Sequence, residues 1–273
     1  MKPHEAHLSP QRRAYLRGQR RTKRLVRLCQ LSLLAGLFAA WELAARAGAL
    51  DSFIFSQPSR IWGTLAQLAR GELWLHVGVT LYETLTGFAL GAAIGLLVSV
   101  VLWWSPFIAR VAEPYLVVLN SLPKIALGPV IIIIAGAGTR AIIFMALAIS
   151  LIVTVLEMLA GFLRTDPEYL KMAATFGATR RQVLCKVVFP ANLGTLFNSL
   201  KVNIGLSLVG VIAGEFLVSK AGLGYLIVYG GQVFQMDLVM TGVLILSAVA
   251  AAMYGAVTLA QRAVQRRFGG AKR

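Results

Sequence analysis

Residues 166–190 read DPEYLKMAATFGATRRQVLCKVVFP, a polar island between two long apolar stretches. Asp166 stands where a helix N-cap would, Pro167 at the first helical position and Glu168 in the first turn. Tyr169, Met172, Ala173 and Phe176 then recur at helical spacing and make one apolar face, with small Ala173 and Ala174 permitting close approach to a neighbour. Gly177 ends that helix, because glycine enters the left-handed conformation without a Cβ clash. Thr179 caps a second helix, made basic by Arg180, Arg181 and Lys186, and Pro190 is expected to close it. A short amphipathic helix between apolar segments has two plain uses. It lies on a lipid surface, or it docks into a groove on a soluble partner.

Outward from this island the chain is apolar. Of 273 residues, 58% are hydrophobic and 14% charged, where a soluble domain carries about a quarter charged residues. This is the composition of a membrane-embedded chain, and the long apolar spans that follow make the expected fold an all-α membrane protein. Six spans are legible, at about 25–45, 77–104, 112–135, 141–163, 195–218 and 238–260. Pro58 opens a short amphipathic helix through Ile61, Leu65 and Leu68, expected on the outer surface. In the second span Gly87, Gly91 and Gly95 stand four apart and form a groove for close helix packing, within one chain or between two. The third span is broken by Pro114, Pro123 and Pro129, so freed carbonyls there must face protein or a water-filled path. Residues 136–139 make a tight outer turn, and Gly222-Leu223-Gly224 marks an outer loop.

The net charge of +16 would suggest nucleic acid in a soluble protein, but its placement suggests orientation in a bilayer. With the N-terminus inside, the inner segments carry twenty Lys and Arg, and the outer segments five: Arg46, Arg60, Arg70, Arg140 and Lys220. That asymmetry places both termini and residues 166–190 in the cytoplasm. The expected organisation is a basic, disordered cytoplasmic tail over 1–24, a six-span domain over 25–262 with a polar loop at 164–192, and a basic cytoplasmic C-terminus over 263–273. The span after Arg27 is too long for a cleaved signal peptide and is read as retained. Cys29 and Cys185 both fall on the cytoplasmic side, so neither a disulfide nor a metal site is expected.

The polar island resembles the "EAA" loop, of form E-A-A-x3-G-x9-I-x-L-P, in permeases of bacterial binding-protein-dependent ABC importers. Ala173, Gly177 and Pro190 match, Val187 and Phe189 are apolar equivalents, and Lys171 and Met172 depart from the Glu and first Ala. Residues 80–88 (TLYETLTGF), 122–129 (LPKIALGP), 214–216 (GEF) and 222–227 (GLGYLI) are similar to the nitrate/sulfonate/taurine group of these permeases, over about 58–262. The resemblance implies a type I ABC importer permease fold, a homodimer in the bacterial inner membrane, two copies of an ATP-binding subunit and an extracytoplasmic substrate-binding protein. It also implies a coupling role toward the ATPase for Tyr169, Lys171, Met172, Ala173, Ala174, Phe176, Gly177 and Pro190. Within the group the substrates are small sulfonates, nitrate, or small organic molecules such as vitamin precursors.

No phosphate-binding loop of form G-x-x-x-x-G-K-[ST] is present, so ATP and Mg are expected on the partner and no cofactor on this chain. The three histidines, His4, His7 and His76, form no cluster with carboxylates that suggests a metal site or an acid–base pair, which weighs against a membrane enzyme. Glu83, Glu157 and Glu215 lie within spans, with Asn120 and Lys124 on the broken one. Ionisable groups at such depth face the protein interior or water. They either line a translocation path or fix helix packing. As a path lining, the three carboxylates favour a neutral or weakly basic solute. Lys124 and Lys201 read first as structural partners or interface anchors. A secondary transporter or channel that needs no ATPase is the alternative.

Overall fold

The computed structural model describes residues 10–268. The chain packs as two units that divide after Thr64.

The first unit is dominated by α1 (Pro10–Arg46). The basic segment expected to be disordered is therefore helical from Pro10 onward; residues 1–9 lie outside the described residues. Lys and Arg are good helix formers, and residues 11–24 hold a single Gly and no Pro to stop a helix growing back from the apolar part. Arg21–Arg46 is the portion long and apolar enough to cross a bilayer. A single turn, α2 (Ser52–Phe55), is capped by Asp51, whose Oδ1 accepts from Phe53 N–H at 2.8 Å. Glu42 ties the connection back to α1, accepting from Arg46 Nε at 2.7 Å and Ser59 N–H at 3.0 Å. The amphipathic helix read from Pro58 is α3 (Pro58–Ala69), which runs across the division.

The second unit continues with α4 (Leu73–Trp104), α5 (Pro106–Ser121), α6 (Gly128–Ala135) and α7 (Thr139–Leu163). The third span breaks once rather than three times. Pro114 is carried inside α5, and Pro129 sits in the first turn of α6, where its missing N–H costs nothing. The break falls at Leu122, which Pro123 forces into an extended conformation (φ −65°, ψ 137°). A 3-10 turn over Lys124–Leu127 follows, and the two halves meet at 84°. Lys124 Nζ donates to the Asn120 carbonyl at 2.9 Å, covering one of the carbonyls this break frees.

Beyond α7 come α8 (Pro167–Thr175), α9 (Arg180–Val183), α10 (Phe189–Ala191), α11 (Leu193–Val218), α12 (Leu223–Gln232) and α13 (Met236–Phe268). Among the described residues five helices are long and apolar enough to cross a membrane, and the bent pair, counted as one, makes six.

The core is α7, gripped by α4 and α11. A Cβ built on Gly87 would stand 2.6 Å from Ala146 Cβ, and one on Gly95 2.6 Å from Thr154 Cβ; one on Gly91 would strike Ser150 Oγ. The glycine groove thus packs within the chain. From the other side, a Cβ on Gly210 would come 2.7 Å from Ala146 Cα. Small residues let the backbones close to this distance, where dispersion rather than hydrophobicity holds helices in lipid. Ser150 and Thr154 return their hydroxyls to the carbonyls of Ala146 and Ser150, at 2.9 and 3.0 Å, so α7 exposes no free donor there. Asn203 of α11 donates to Thr154 Oγ1 at 2.8 Å and fixes the register of the pair.

The loop expected after Gly222 is the helix α12. It runs antiparallel to the start of α13, with Ile227 against Gly242 and Val239 against Gly230. Leu223 and Leu226 share a core cluster with Leu238, and Ile245, Leu246 and Val249 pack against it. The N-terminus of α12 therefore lies deep alongside α13, and its C-terminus lies level with the start of α13.

Candidate functional site

Two polar constructions cap the bundle at opposite ends. The first is the loop between α7 and α11. Asp166 Oδ1 accepts from Glu168 N–H at 2.9 Å and starts α8. At its end Gly177 takes φ +69°. Gly177 N–H bonds the Ala174 carbonyl at 2.9 Å and Ala178 N–H bonds the Ala173 carbonyl at 3.0 Å, the paired bonds of a Schellman turn. Thr179 and Gln182 then form a reciprocal capping box: Thr179 N–H donates to Gln182 Oε1 at 2.8 Å and Gln182 N–H to Thr179 Oγ1 at 3.4 Å.

Pro190 does not close this second helix. A proline ring clashes with the carbonyl four residues back in an α-helix. Here the backbone widens instead into a π turn over Leu184–Val188, with Phe189 N–H reaching the Leu184 carbonyl, and the chain runs on through α10.

The loop is pinned to the bundle at three points. Leu184 and Val188 are buried with Met158 and Phe162 of α7. Asn192 Nδ2 donates to Thr165 Oγ1 and to the Val188 carbonyl, both at 2.9 Å, clamping the loop's exit to its entrance. Arg180 donates to the carbonyl of Trp104, the last residue of α4. Among its exposed charged residues the pinned loop presents an apolar stripe: Tyr169 is 54% exposed, Met172 53% and Phe176 82%. Ala173, from the same face in sequence, points inward at 8%, while Lys171, Ala174 and Pro190 are exposed.

The second construction lies at the deep end of α12. Thr80 of α4 donates to Glu215 Oε1 at 2.6 Å and accepts from Leu223 N–H at 2.8 Å. Glu215 of α11 takes Gly224 N–H on its other oxygen, Oε2. His76 Nδ1 accepts from Gly222 N–H at 2.9 Å, and the His76 ring stacks on Tyr225 with centroids 5.9 Å apart. Three of the N–H groups that open α12 are thus satisfied by side chains of α4 and α11. The glycines are obligatory here. Gly222 sits at φ +121°, and a Cβ there would strike the Glu215 carboxyl.

Other residues singled out in sequence are placed as follows. Glu83 is fully buried beside Glu215 and Thr139. Glu157 lines an open cleft of about 500 Å³ with Arg164, Asn192, Asn198 and Thr195. Asn120 is exposed beside the bend, and Lys201 lies 5.8 Å from the centre of the Tyr254 ring. Thr165, Asn192 and His76 carry no distinct signal in sequence, since each acts through a partner far along the chain, and Thr80 stands out there only as part of the motif 80–88. The segments 214–216 and 222–227, quoted apart, prove to be one hydrogen-bonded unit.

Helices long and apolar enough to cross a membrane, one span of them bent, and a pinned loop with an apolar stripe fit a multi-pass membrane protein. Residues 87–270 match the model of the binding-protein-dependent transport system inner membrane component, and the chain belongs to that family. It is 30% identical over 230 residues to a "probable ABC transporter permease protein" of Haemophilus influenzae, covering 84% of this chain and 94% of the relative. It is 25% identical over 245 residues to the taurine transport system permease protein of Escherichia coli, covering 87% of each. Its fold is similar to the inward-facing MetNI methionine ABC transporter, with TM-score 0.64 and 21% identity over 74% of this chain and 98% of that one. The chain is the transmembrane permease subunit of an ABC importer.

Proposed function

We propose that this permease crosses the bacterial cytoplasmic membrane six times with both termini inside, works as a homodimer, and receives its solute from an extracytoplasmic binding protein. Two copies of a separate ATP-binding subunit seat on the loop at 164–192 and carry the ATP and Mg. The observation that carries this reading is the exposed stripe of Tyr169, Met172 and Phe176 on a loop that Asn192, Arg180 and Val188 fix to the bundle. An apolar helix face held rigidly at a polar end fits a groove in a soluble partner. Displacement of that partner would reach α4, α7 and α11 together. The twenty-to-five division of Lys and Arg supports the orientation.

The solute is a sulfonate-, nitrate- or taurine-like molecule or a small organic molecule such as a vitamin precursor, readings supported by relatives named for taurine and for formylaminopyrimidine transport. Glu215 is buried, with its oxygens accepting from Thr80 and Gly224, and so packs the bundle rather than facing an open path. The path runs by the bend at Asn120 and Lys124 and the cleft at Glu157 and Arg164. Co-expression with a candidate ABC ATP-binding subunit of the same organism, followed by native mass measurement, gives two of each subunit. A stable permease that carries no ATPase contradicts the proposal.

A further inference from the structure

The end of α12 carries an anomaly that neither packing nor turn chemistry requires. Gln235 N–H bonds the Gly230 carbonyl at 2.8 Å and Phe234 N–H the Gly231 carbonyl at 3.3 Å, a second Schellman turn. Its left-handed position is held by Phe234, at φ +58°. Glycine is the ordinary occupant, and a bulky side chain there is a genuine outlier. Phe234 gains no burial in exchange, being 68% exposed, with Val233 and Tyr229 also exposed beside it. Strained residues held by their surroundings cluster at functional positions.

The helix that presents Phe234 is fixed at its other end by the Glu215–Thr80–His76 construction to α4 and α11. Those two helices also hold the coupling loop, through the Trp104 carbonyl at the end of α4 and Asn192 at the start of α11. In the proposed orientation Phe234 follows the outward end of α12, on a strut joined to the same helices as the inner loop.

We propose that Phe234 is a contact residue for the extracytoplasmic solute-binding protein, and that Glu215 and Thr80 are the positioning residues that hold its helix rigid. This rests on the reading of the chain as an importer permease. An exposed aromatic with two side-chain torsions makes a low-entropy anchor for a rigid partner.

The test uses the full permease–ATPase complex in nanodiscs, titrated with a candidate solute-binding protein of the same organism. ATP hydrolysis is followed to saturation. Phe234→Gly relieves the backbone strain and removes the anchor. The expected result is a roughly tenfold rise in the binding-protein concentration for half-maximal stimulation, with the plateau rate retained. Thr80→Val keeps the shape of the side chain and removes the hydroxyl. It is expected to lower the plateau instead, and Thr80→Ser to restore it. Unchanged half-maximal concentration in Phe234→Gly overturns the proposal, as does a change in the basal ATP hydrolysis rate without binding protein as large as the change seen with it, which assigns Phe234 to the lipid interface. A wild-type complex that no concentration of the binding protein stimulates overturns the importer reading itself, and this is read before any variant.

Discussion

The two Schellman turns of this permease share a hydrogen-bond pattern and differ in the residue at the left-handed position. Residues 173–178 close α8 with Gly177 at φ +69°; residues 230–235 close α12 with Phe234 at φ +58°. The hydrogen bonds are the same, so they do not explain the choice of residue. At Gly177 a Cβ would meet nothing within 4 Å inside the chain, so glycine is used for conformation or for something outside the chain. At Phe234 the conformation is adopted against preference, so the side chain must matter for itself. The comparison separates what a turn needs from what its surface is for.

The largest expected effect comes from breaking the first turn. Gly177→Val places a β-branched residue in the left-handed region at about 1–2 kcal/mol. The spans should insert normally, since this turn lies outside them. Transport, followed by uptake of labelled solute, should fall at least about tenfold, the equivalent of some 1.4 kcal/mol on the coupled step. Gly177→Asn sharpens the point, because asparagine tolerates the same backbone. Near-normal uptake in the Asn variant assigns the effect to conformation; loss in both assigns it to space needed by the ATPase.

Removing the clamp under that turn should matter less. Asn192→Ala leaves the buried Thr165 hydroxyl without its donor and costs about 1–3 kcal/mol. Thermal unfolding of the purified permease should shift down, and uptake should fall less than in Gly177→Val. A melting point identical to wild type would remove the clamp from the account.

The smallest effect should be a gain. Phe234→Gly relieves about 1–2 kcal/mol of backbone strain, offset by up to about 1 kcal/mol of glycine's unfolded-state entropy. The permease alone should melt at the same temperature or slightly higher. A clear loss of stability would mean that Phe234 is structural, and the contrast between the two turns would dissolve.

The turns also show what a sequence discloses. Asp166, Gly177 and Thr179 were legible because each acts within a few residues of itself. Six spans and the glycine groove follow from composition and spacing. The clamp from Asn192 to Thr165 spans 27 residues and the bond from Thr80 to Glu215 spans 135, so no local pattern announces either. Helix α12 escaped because Gly224, Gly230 and Gly231 and its β-branched residues disfavour an isolated helix; packing on α13 supplies what propensity lacks. Pro190 misled for the opposite reason, since a π turn absorbs a proline that a regular helix would not. The basic segment after Pro10 misled because charge suggests disorder until a long apolar helix provides the nucleus it extends from.

The exposed stripe on α8 is proposed to seat on a separate ATPase in the cytoplasm. A photo-reactive phenylalanine analogue at Phe176, the most exposed of the three side chains, tests it in intact cells. Irradiation should join the permease to the ATP-binding subunit, with the adduct lost when Asp replaces Met172 in the same chain. Adducts to lipid alone, or to an extracytoplasmic protein, would contradict the account.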